Sequence, residues 1–179
     1  MSTDTEILKS RLDLPNILQP QSIGIELGVA GGYYSDILLK SSKFSKLYSI
    51  DRWSDHHGID EYLSAARKLA THGPRSIVIK ASFDDIIDLF PEDYFDLIYI
   101  DAYAHTGQED GLILENWFPK LKSGGIFSGH DYEEKQWPKT FSAVNKFIKN
   151  KKLSLNIIPG QYNPLNNEDR FKSWFTLKH

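Results

Sequence analysis

Cysteine is absent from all 179 residues of the chain. Disulfides, thiolate-bound zinc and cysteine nucleophiles are therefore excluded, and a reducing cytoplasm suits such a chain. Long apolar runs are also missing, since none approaches the roughly 20 residues that span a bilayer. The opening from Met1 to Glu6 is polar and acidic, unlike a secretory signal. We therefore expect a cytoplasmic protein with no membrane partner.

The chain has no surplus of positive charge. Its 21 Lys and Arg residues stand against 24 Asp and Glu residues, for a formal net charge of -3. The basic residues are scattered through the sequence, so no basic groove that follows a phosphate backbone is indicated. We expect no nucleic-acid partner.

Repeats and linkers that would divide the chain are lacking too, and its length fits one domain over 1–179. We expect an N-terminal helix and lead-in at 1–20, a core at 22–132, and a C-terminal helix with two last strands at 133–179. Short apolar stretches alternate with helix-period stretches, which predicts an α/β fold with a mainly parallel sheet. An opening helix near Thr5–Leu12 is expected to end before Pro15. The predicted strands are Ser22–Leu27, Lys46–Ile50, Ser76–Lys80, Phe95–Ile100, Gly125–Ser128, Leu153–Ile158 and Phe171–Leu177, and the predicted helices Gly32–Lys40, Ile59–Thr71, Phe83–Leu89, Glu109–Phe118 and Lys139–Lys149.

The first strand runs into a glycine-rich turn, Glu26-Leu27-Gly28-Val29-Ala30-Gly31-Gly32. Glycines let a ligand approach the backbone, and the N–H groups that begin the next helix attract negative charge. The dinucleotide pattern G-x-G-x-x-G fails, because Ala30 and Tyr33 occupy its second and third glycine positions. The segment fits E-x-G-x-[GA]-x-G instead, which resembles the first motif of Rossmann-like methyltransferases. That resemblance implies that Gly28, Ala30 and Gly32 underlie the methionine part of S-adenosylmethionine, with Glu26 near its ammonium group; a plain tight turn is the alternative.

Residues at the ends of the second and third strands are suited to bind a nucleoside. Asp51 ends the second strand about twenty residues past the glycines, where a carboxylate can accept both hydrogen bonds of a ribose diol. Arg52 and Trp53 follow directly, and Trp53 either covers the adenine, walls an acceptor pocket or simply packs. The third strand leads to Ser82 and Phe83, which by the resemblance meet the adenine edge, although Ser82 is equally suited to cap the next helix.

The second half carries a longer match. Asp96-Leu97-Ile98-Tyr99-Ile100-Asp101 is followed by Leu121-Lys122-Ser123-Gly124-Gly125 and then by Gly129-His130-Asp131-Tyr132. This order resembles small class I methyltransferases over about Ile23 to Tyr132, except that the loop after Asp101 lacks the family's second acid. The resemblance implies a Rossmann-like, doubly wound sheet of seven strands in the order 3-2-1-4-5-7-6, with the last strand antiparallel. It also implies that the segment Pro159–Arg170 crosses the face that carries the site.

An oxygen acceptor must lose a proton before it receives a methyl group, either to a general base or with the help of a divalent cation. Asp101, His105 and His130 are the catalytic candidates, and Asp101 is expected at the donor as well. Asp101 and Asp131 end neighbouring strands, as the magnesium ligands of related O-methyltransferases do, while histidine ligands would favour manganese, iron or zinc. A metal-free site with His105 or His130 as the base stays open.

The sequence thus predicts methyl transfer from S-adenosylmethionine to an oxygen, less readily a nitrogen, of a small molecule. A nicotinamide-dependent oxidoreductase and a non-catalytic nucleoside-binding module of the same fold are the alternatives. The chain lacks a long inserted subdomain, so either the acceptor is small and shallowly bound, or a second subunit of a homodimer closes the site. The aromatic residues near this face are candidates to line an apolar acceptor pocket: Tyr33, Tyr34, Trp53, Tyr103, Tyr132, Trp137 and Tyr162.

Overall fold

A computed structural model describes residues 8–54 and 57–179 of the chain. Within this part, seven strands form one sheet in the order β3-β2-β1-β4-β5-β7-β6. The strands β1 to β5 run parallel to one another, and β7 is antiparallel to both β5 and β6. The predicted fold class and strand order are therefore confirmed. The strands are β1 Ser22–Leu27, β2 Phe44–Asp51, β3 Ser76–Lys80, β4 Phe95–Ile100, β5 Leu121–Gly129, β6 Asn156–Ile158 and β7 Ser173–Leu177.

Helices cover both faces of the sheet. Alternate residues of β4 point to opposite sides, so that Leu97 and Tyr99 enter one core while Ile98 and Ile100 enter the other. Burial on both faces explains why this strand is apolar throughout. No helix of the described residues is both long and apolar enough to cross a membrane. The helices are α1 Tyr33–Lys40, α2 Ile59–Ala70, α3 Phe83–Ile86, α4 Gly107–Asp110, α5 Leu112–Trp117 and α6 Pro138–Lys151.

The prediction for the opening helix is wrong where the structure describes it. Residues 8–10 are not helical, and a 3-10 helix spans Arg11–Ile17 with Pro15 inside it. Ser10 caps this helix in a capping box with Asp13, so the start signal lies later than expected. The remainder of the predicted helix, 5–7, lies outside the described residues. Pro15 is tolerated because its fixed φ suits a 3-10 turn.

The helix predicted at Glu109–Phe118 is interrupted. The single turn α4 is left-handed, with φ of 52° at Gln108 and 54° at Glu109, and Gly111 at φ 90° separates it from α5. Gly107 begins this turn against α6, where an added Cβ would stand 2.7 Å from the Lys139 carbonyl oxygen. The close approach to α6 thus needs glycine at the start of the turn.

Smaller differences concern the ends of strands and helices. The strand β2 begins before the predicted Lys46, and β5 begins at Leu121 rather than at Gly125. The last two strands are shorter than predicted, and they leave residues 159–172 to connect β6 with β7.

Candidate active site

The glycine turn lies against the carboxyl end of β4. Gly28 has φ of 95°, and a Cβ placed on it would stand 2.2 Å from the carbonyl oxygen of Asp101. Gly32 has φ of 76° and precedes α1 without a side-chain cap among the described residues. The first N–H groups of α1 are therefore left for a ligand or water. Gly31 and Ala30 line a cavity at this edge.

Asp51 is joined directly to this turn. Its Oδ2 accepts hydrogen bonds from the backbone N–H groups of Val29, at 2.9 Å, and Ala30, at 3.0 Å. Its Oδ1 accepts from the backbone N–H of Trp53 at 3.0 Å. The carboxylate therefore holds the turn in shape at the end of β2. It also lines the cavity, so the two features that the sequence singled out meet in one crevice.

Glu26 lies below the turn and is 1% exposed. Ser35 donates a hydrogen bond to its Oε2, and the Ser35 hydroxyl lies 2.7 Å from that of Ser49. Burial raises the pKa of Glu26 to about 8, against the hydrogen bond from Ser35, which lowers it. Glu26 also lines the cavity, so a cation bound there would favour its ionised form.

A cluster of two carboxylates and one imidazole follows β4 and β5. The Nδ1 atom of His130 lies 3.3 Å from Asp101 Oδ1 and 3.3 Å from Asp131 Oδ1. His130 is 2% exposed, and its Nε2 has no hydrogen-bond partner among the described residues. Ligand atoms of the three residues all lie within 4.8 Å of one another, which is a possible metal-binding arrangement.

The two carboxylates of the cluster differ in ionisation. Burial alone would raise the pKa of Asp101, but its interactions with His130 and with the Arg11 guanidinium outweigh burial and lower this pKa to about 2. Burial, together with the charge of Asp101, raises the pKa of Asp131 to about 7. Pairs of acids that are pushed apart in this way are typical of catalytic sites.

The cavity between these groups has a volume of about 460 Å³. It lies beyond the carboxyl ends of β1, β2 and β4, where the strand order reverses, as ligand sites in open α/β sheets do. Gly28, Asp51, Asp101 and His130 all line it. One crevice therefore combines the predicted donor site with part of the predicted catalytic site.

A family model described as a methyltransferase domain matches residues 23–132, which is more than half of the chain. The chain belongs to this methyltransferase family. The matched residues coincide with the span over which the sequence resembles class I methyltransferases. No curated protein matches the chain in sequence.

Solved structures share the fold of this methyltransferase. It is similar to the cofactor-bound Rv0187 from MTB, with a TM-score of 0.71 at 13% identity over 93% of this chain and 76% of that one. An rRNA methylase from Streptococcus thermophilus gives 0.65 at 15% identity, over 92% and 91% of the two chains. A SAM-dependent O-methyltransferase from Thermotoga maritima gives 0.63 at 17%, over 92% and 63%.

Arg11 is the main residue of this methyltransferase site that the sequence did not reveal. Its Nη1 donates to Asp101 Oδ2 at 3.0 Å, and its Nε donates to Asp169 Oδ1 at 2.7 Å. These partners are 90 and 158 residues away, so no local pattern points to them. Arg11 also lines the cavity.

The segment between β6 and β7 crosses this edge, as the resemblance implied. Asn166 and Glu168 line the cavity. The buried Asp169 accepts hydrogen bonds from the Tyr33 hydroxyl, at 3.0 Å, and from Asn163 Nδ2, at 2.5 Å. The segment is therefore fastened to the domain by polar contacts next to the site.

Other predicted donor contacts are divided between the cavity and the core. Arg52 and Phe83 line the cavity. Trp53 does not: it is 2% exposed, packs on Tyr62 and donates from Nε1 to the Ala30 carbonyl at 2.9 Å. Ser82 also lies outside the lining and caps α3 by accepting from the backbone N–H of Asp85 at 3.3 Å. Both residues support the loops that surround the cavity.

The structure does not bring His105 into the cluster. Its side chain is exposed, and its ring centroid lies 4.7 Å from that of Trp137, outside the cavity lining. Of the aromatic residues expected near the acceptor, only Tyr33, Tyr34 and Tyr103 line the cavity. The other predicted wall residues lie outside the cavity lining, so fewer aromatic side chains face the cavity than the sequence indicated.

Proposed function

We propose that this protein transfers a methyl group from S-adenosylmethionine to an oxygen atom of a small molecule. The observation that carries the proposal is the single crevice lined by the glycine turn, by Asp51 and by His130. The turn presents backbone and helix N–H groups, while Asp51 supplies carboxylate oxygens near a ribose. Membership of the methyltransferase family supports the same donor.

The donor supplies an already activated methyl group, so the chain must align the acceptor and remove its proton. His130 suits the role of base. Its Nδ1 faces two carboxylate oxygens at 3.3 Å, which favours the tautomer with the proton on Nδ1. Its Nε2, which is buried and has no hydrogen-bond partner among the described residues, is then the ring nitrogen left to take the proton of an acceptor hydroxyl that reaches it. Asp101 orients the imidazole and stabilises the imidazolium that forms.

A divalent cation is the alternative means of helping the acceptor lose its proton. Asp101, His130 and Asp131 would hold this cation. Two carboxylates with one imidazole suit manganese, iron or zinc better than magnesium. The guanidinium of Arg11 already places a positive charge 3.0 Å from Asp101, which favours the metal-free form. Unchanged transfer after treatment with a chelator is the expected result, and restoration by added manganese would favour the cation.

A small acceptor is favoured over nucleic acid by the charges around the site. Glu168 stands at the cavity, and the chain carries a net charge of -3. Arg11 and Arg52 also line the cavity, but two guanidinium groups in an acidic chain do not form the basic groove that a phosphate backbone needs. Because the chain is similar in fold to an rRNA methylase from Streptococcus thermophilus, RNA is the alternative acceptor class that the test must include.

The test is transfer of a labelled methyl group from S-adenosylmethionine to a panel of phenols, catechols and small carboxylic acids, with rRNA and tRNA assayed in parallel. His130→Gln is expected to lower transfer by roughly 10²- to 10⁴-fold, the usual contribution of a general base. Asp101→Asn should also stop transfer, while both variants still bind S-adenosylhomocysteine.

His105→Gln is the matched variant, because its exposed ring lies outside the cavity. We expect it to transfer at the wild-type rate. Methylation of RNA alone would refute the small-molecule acceptor. Loss of transfer in His105→Gln but not in His130→Gln would move the base to the other histidine.

A further inference from the structure

Arg11 reaches the catalytic cluster from outside the part of the chain that the family model matches. It lies in the 3-10 helix Arg11–Ile17 and is 4% exposed. One guanidinium joins Asp101, at the end of β4, to Asp169, in the segment between β6 and β7. Two distant parts of the chain therefore share a single buried cation.

Contacts of its own helix and of Tyr34 hold Arg11 in place. The capping box at Ser10 begins its helix, and the Arg11 carbonyl accepts a hydrogen bond from the Tyr34 hydroxyl at 2.9 Å. The guanidinium carbon lies 4.8 Å from the centroid of the Tyr34 ring. A planar guanidinium with donors in a rigid fork can hold two carboxylates in fixed directions at once, which a lysine cannot.

Each carboxylate that Arg11 holds has a second partner at the site. Asp101 presents Oδ2 to Arg11 and Oδ1 to Nδ1 of His130. Asp169 presents Oδ1 to Arg11 and Oδ2 to Tyr33. Arg11 is thus linked through one acid to the imidazole, and through the other to the segment that carries Glu168 to the cavity.

We propose that Arg11 is a positioning residue that orients Asp101 toward His130 and fastens the segment 159–172 across the cavity. The catalytic role of this orientation rests on the proposed function. The contacts themselves can be tested without an acceptor. A residue that served only to fasten the segment would leave His130 unaffected when it was removed.

The test uses the full chain without ligand and measures two quantities at one fixed pH. The first is the pair of ring ¹⁵N chemical shifts of His130, which report which nitrogen carries the proton. The second is hydrogen exchange of the backbone amides in 159–172. Arg11→Met keeps an apolar stem but removes both ion pairs. We expect the His130 shifts to move away from the Nδ1-protonated tautomer. Exchange should rise by at least an order of magnitude, because removing one partner strands buried charge.

Three comparison variants separate the two roles. Asp169→Asn should raise exchange in the segment while the His130 shifts stay close to wild type, since Asp101 keeps its partner. Arg11→Lys should restore either the wild-type His130 shifts or the slow amide exchange of the segment, but not both. This variant decides the question if Arg11→Met does not fold. Lys9→Met alters an exposed neighbour and should change neither quantity.

Unchanged His130 shifts in Arg11→Met would overturn the positioning role, whether or not exchange rises. Unchanged exchange would overturn the fastening role. Failure of the proposed function would show separately, as a wild-type protein that binds no S-adenosylhomocysteine, and would leave both of these measurements intact.

Discussion

Glu26 shows how one buried side chain can couple ligand binding to a proton. With a pKa of about 8, its carboxyl group is mostly protonated at pH 7 in the ligand-free protein. A ligand ammonium group in the adjoining cavity would favour the ionised form, since opposite charges lower the pKa of an acid. Binding of S-adenosylhomocysteine should therefore release up to about one proton at pH 7.

Calorimetry in two buffers measures this release. The binding enthalpy in Tris should differ from that in phosphate, because the released proton is taken up by the buffer. The affinity should rise as the pH approaches about 8 and then level off, since Glu26 no longer has to lose a proton. Glu26→Gln should abolish the buffer dependence. Equal enthalpies in both buffers for the wild-type protein would contradict the account.

Among single residues, the location of Asp51 could be predicted from the sequence and that of Trp53 could not. Asp51 and the glycine turn could be predicted together, because the ends of parallel strands meet at one edge of a sheet. Trp53 could not be placed, since an aromatic residue beside a site either enters it or packs behind it. The structure buries Trp53 and uses its Nε1 to hold the Ala30 carbonyl.

Among the elements, the left-handed turn α4 departs most from what periodicity predicts. Gln108 and Glu109 both adopt φ near +53°, in a region that costs an L-residue about 1–2 kcal/mol each. Strands β1, β3 and β4 were predicted to the residue, because their apolar runs have sharp polar ends. The sequence predicts that Glu109 and Asp110 begin a right-handed helix, since only the docking of the turn against α6 selects the opposite hand.

Replacing Glu109 with glycine should therefore stabilise the protein. The exposed Glu109→Gly variant relieves the left-handed strain and should raise the free energy of unfolding by about 1 kcal/mol. Arg67→Gly, at an exposed position of the right-handed α2, is the matched control and should lower it by about 0.8–1 kcal/mol. Both values come from urea denaturation. A destabilised Glu109→Gly would show that the turn is not strained.

For the molecule as a whole, the features that could not be predicted from the sequence are contacts between distant parts of the chain. The strand order was predicted from the resemblance to class I methyltransferases, and the location of the crevice follows from that order. The Arg11 contacts join residues 90 and 158 positions apart, and nothing in the sequence near Arg11 indicates them. Short motifs therefore indicated the glycine turn and the strand ends of the cavity, whereas residues of the segment 159–172 and of the N-terminal 3-10 helix complete its lining.

Calorimetric titration of the wild-type protein with S-adenosylhomocysteine, and separately with NAD, tests the central claim most directly. The crevice between the glycine turn and Asp51 should bind S-adenosylhomocysteine and not NAD. Asp51→Ala should lose this binding, because the carboxylate holds the turn and lines the cavity in which we propose that the ribose binds. Absence of binding by the folded wild-type protein, or binding of NAD in place of S-adenosylhomocysteine, would contradict the claim.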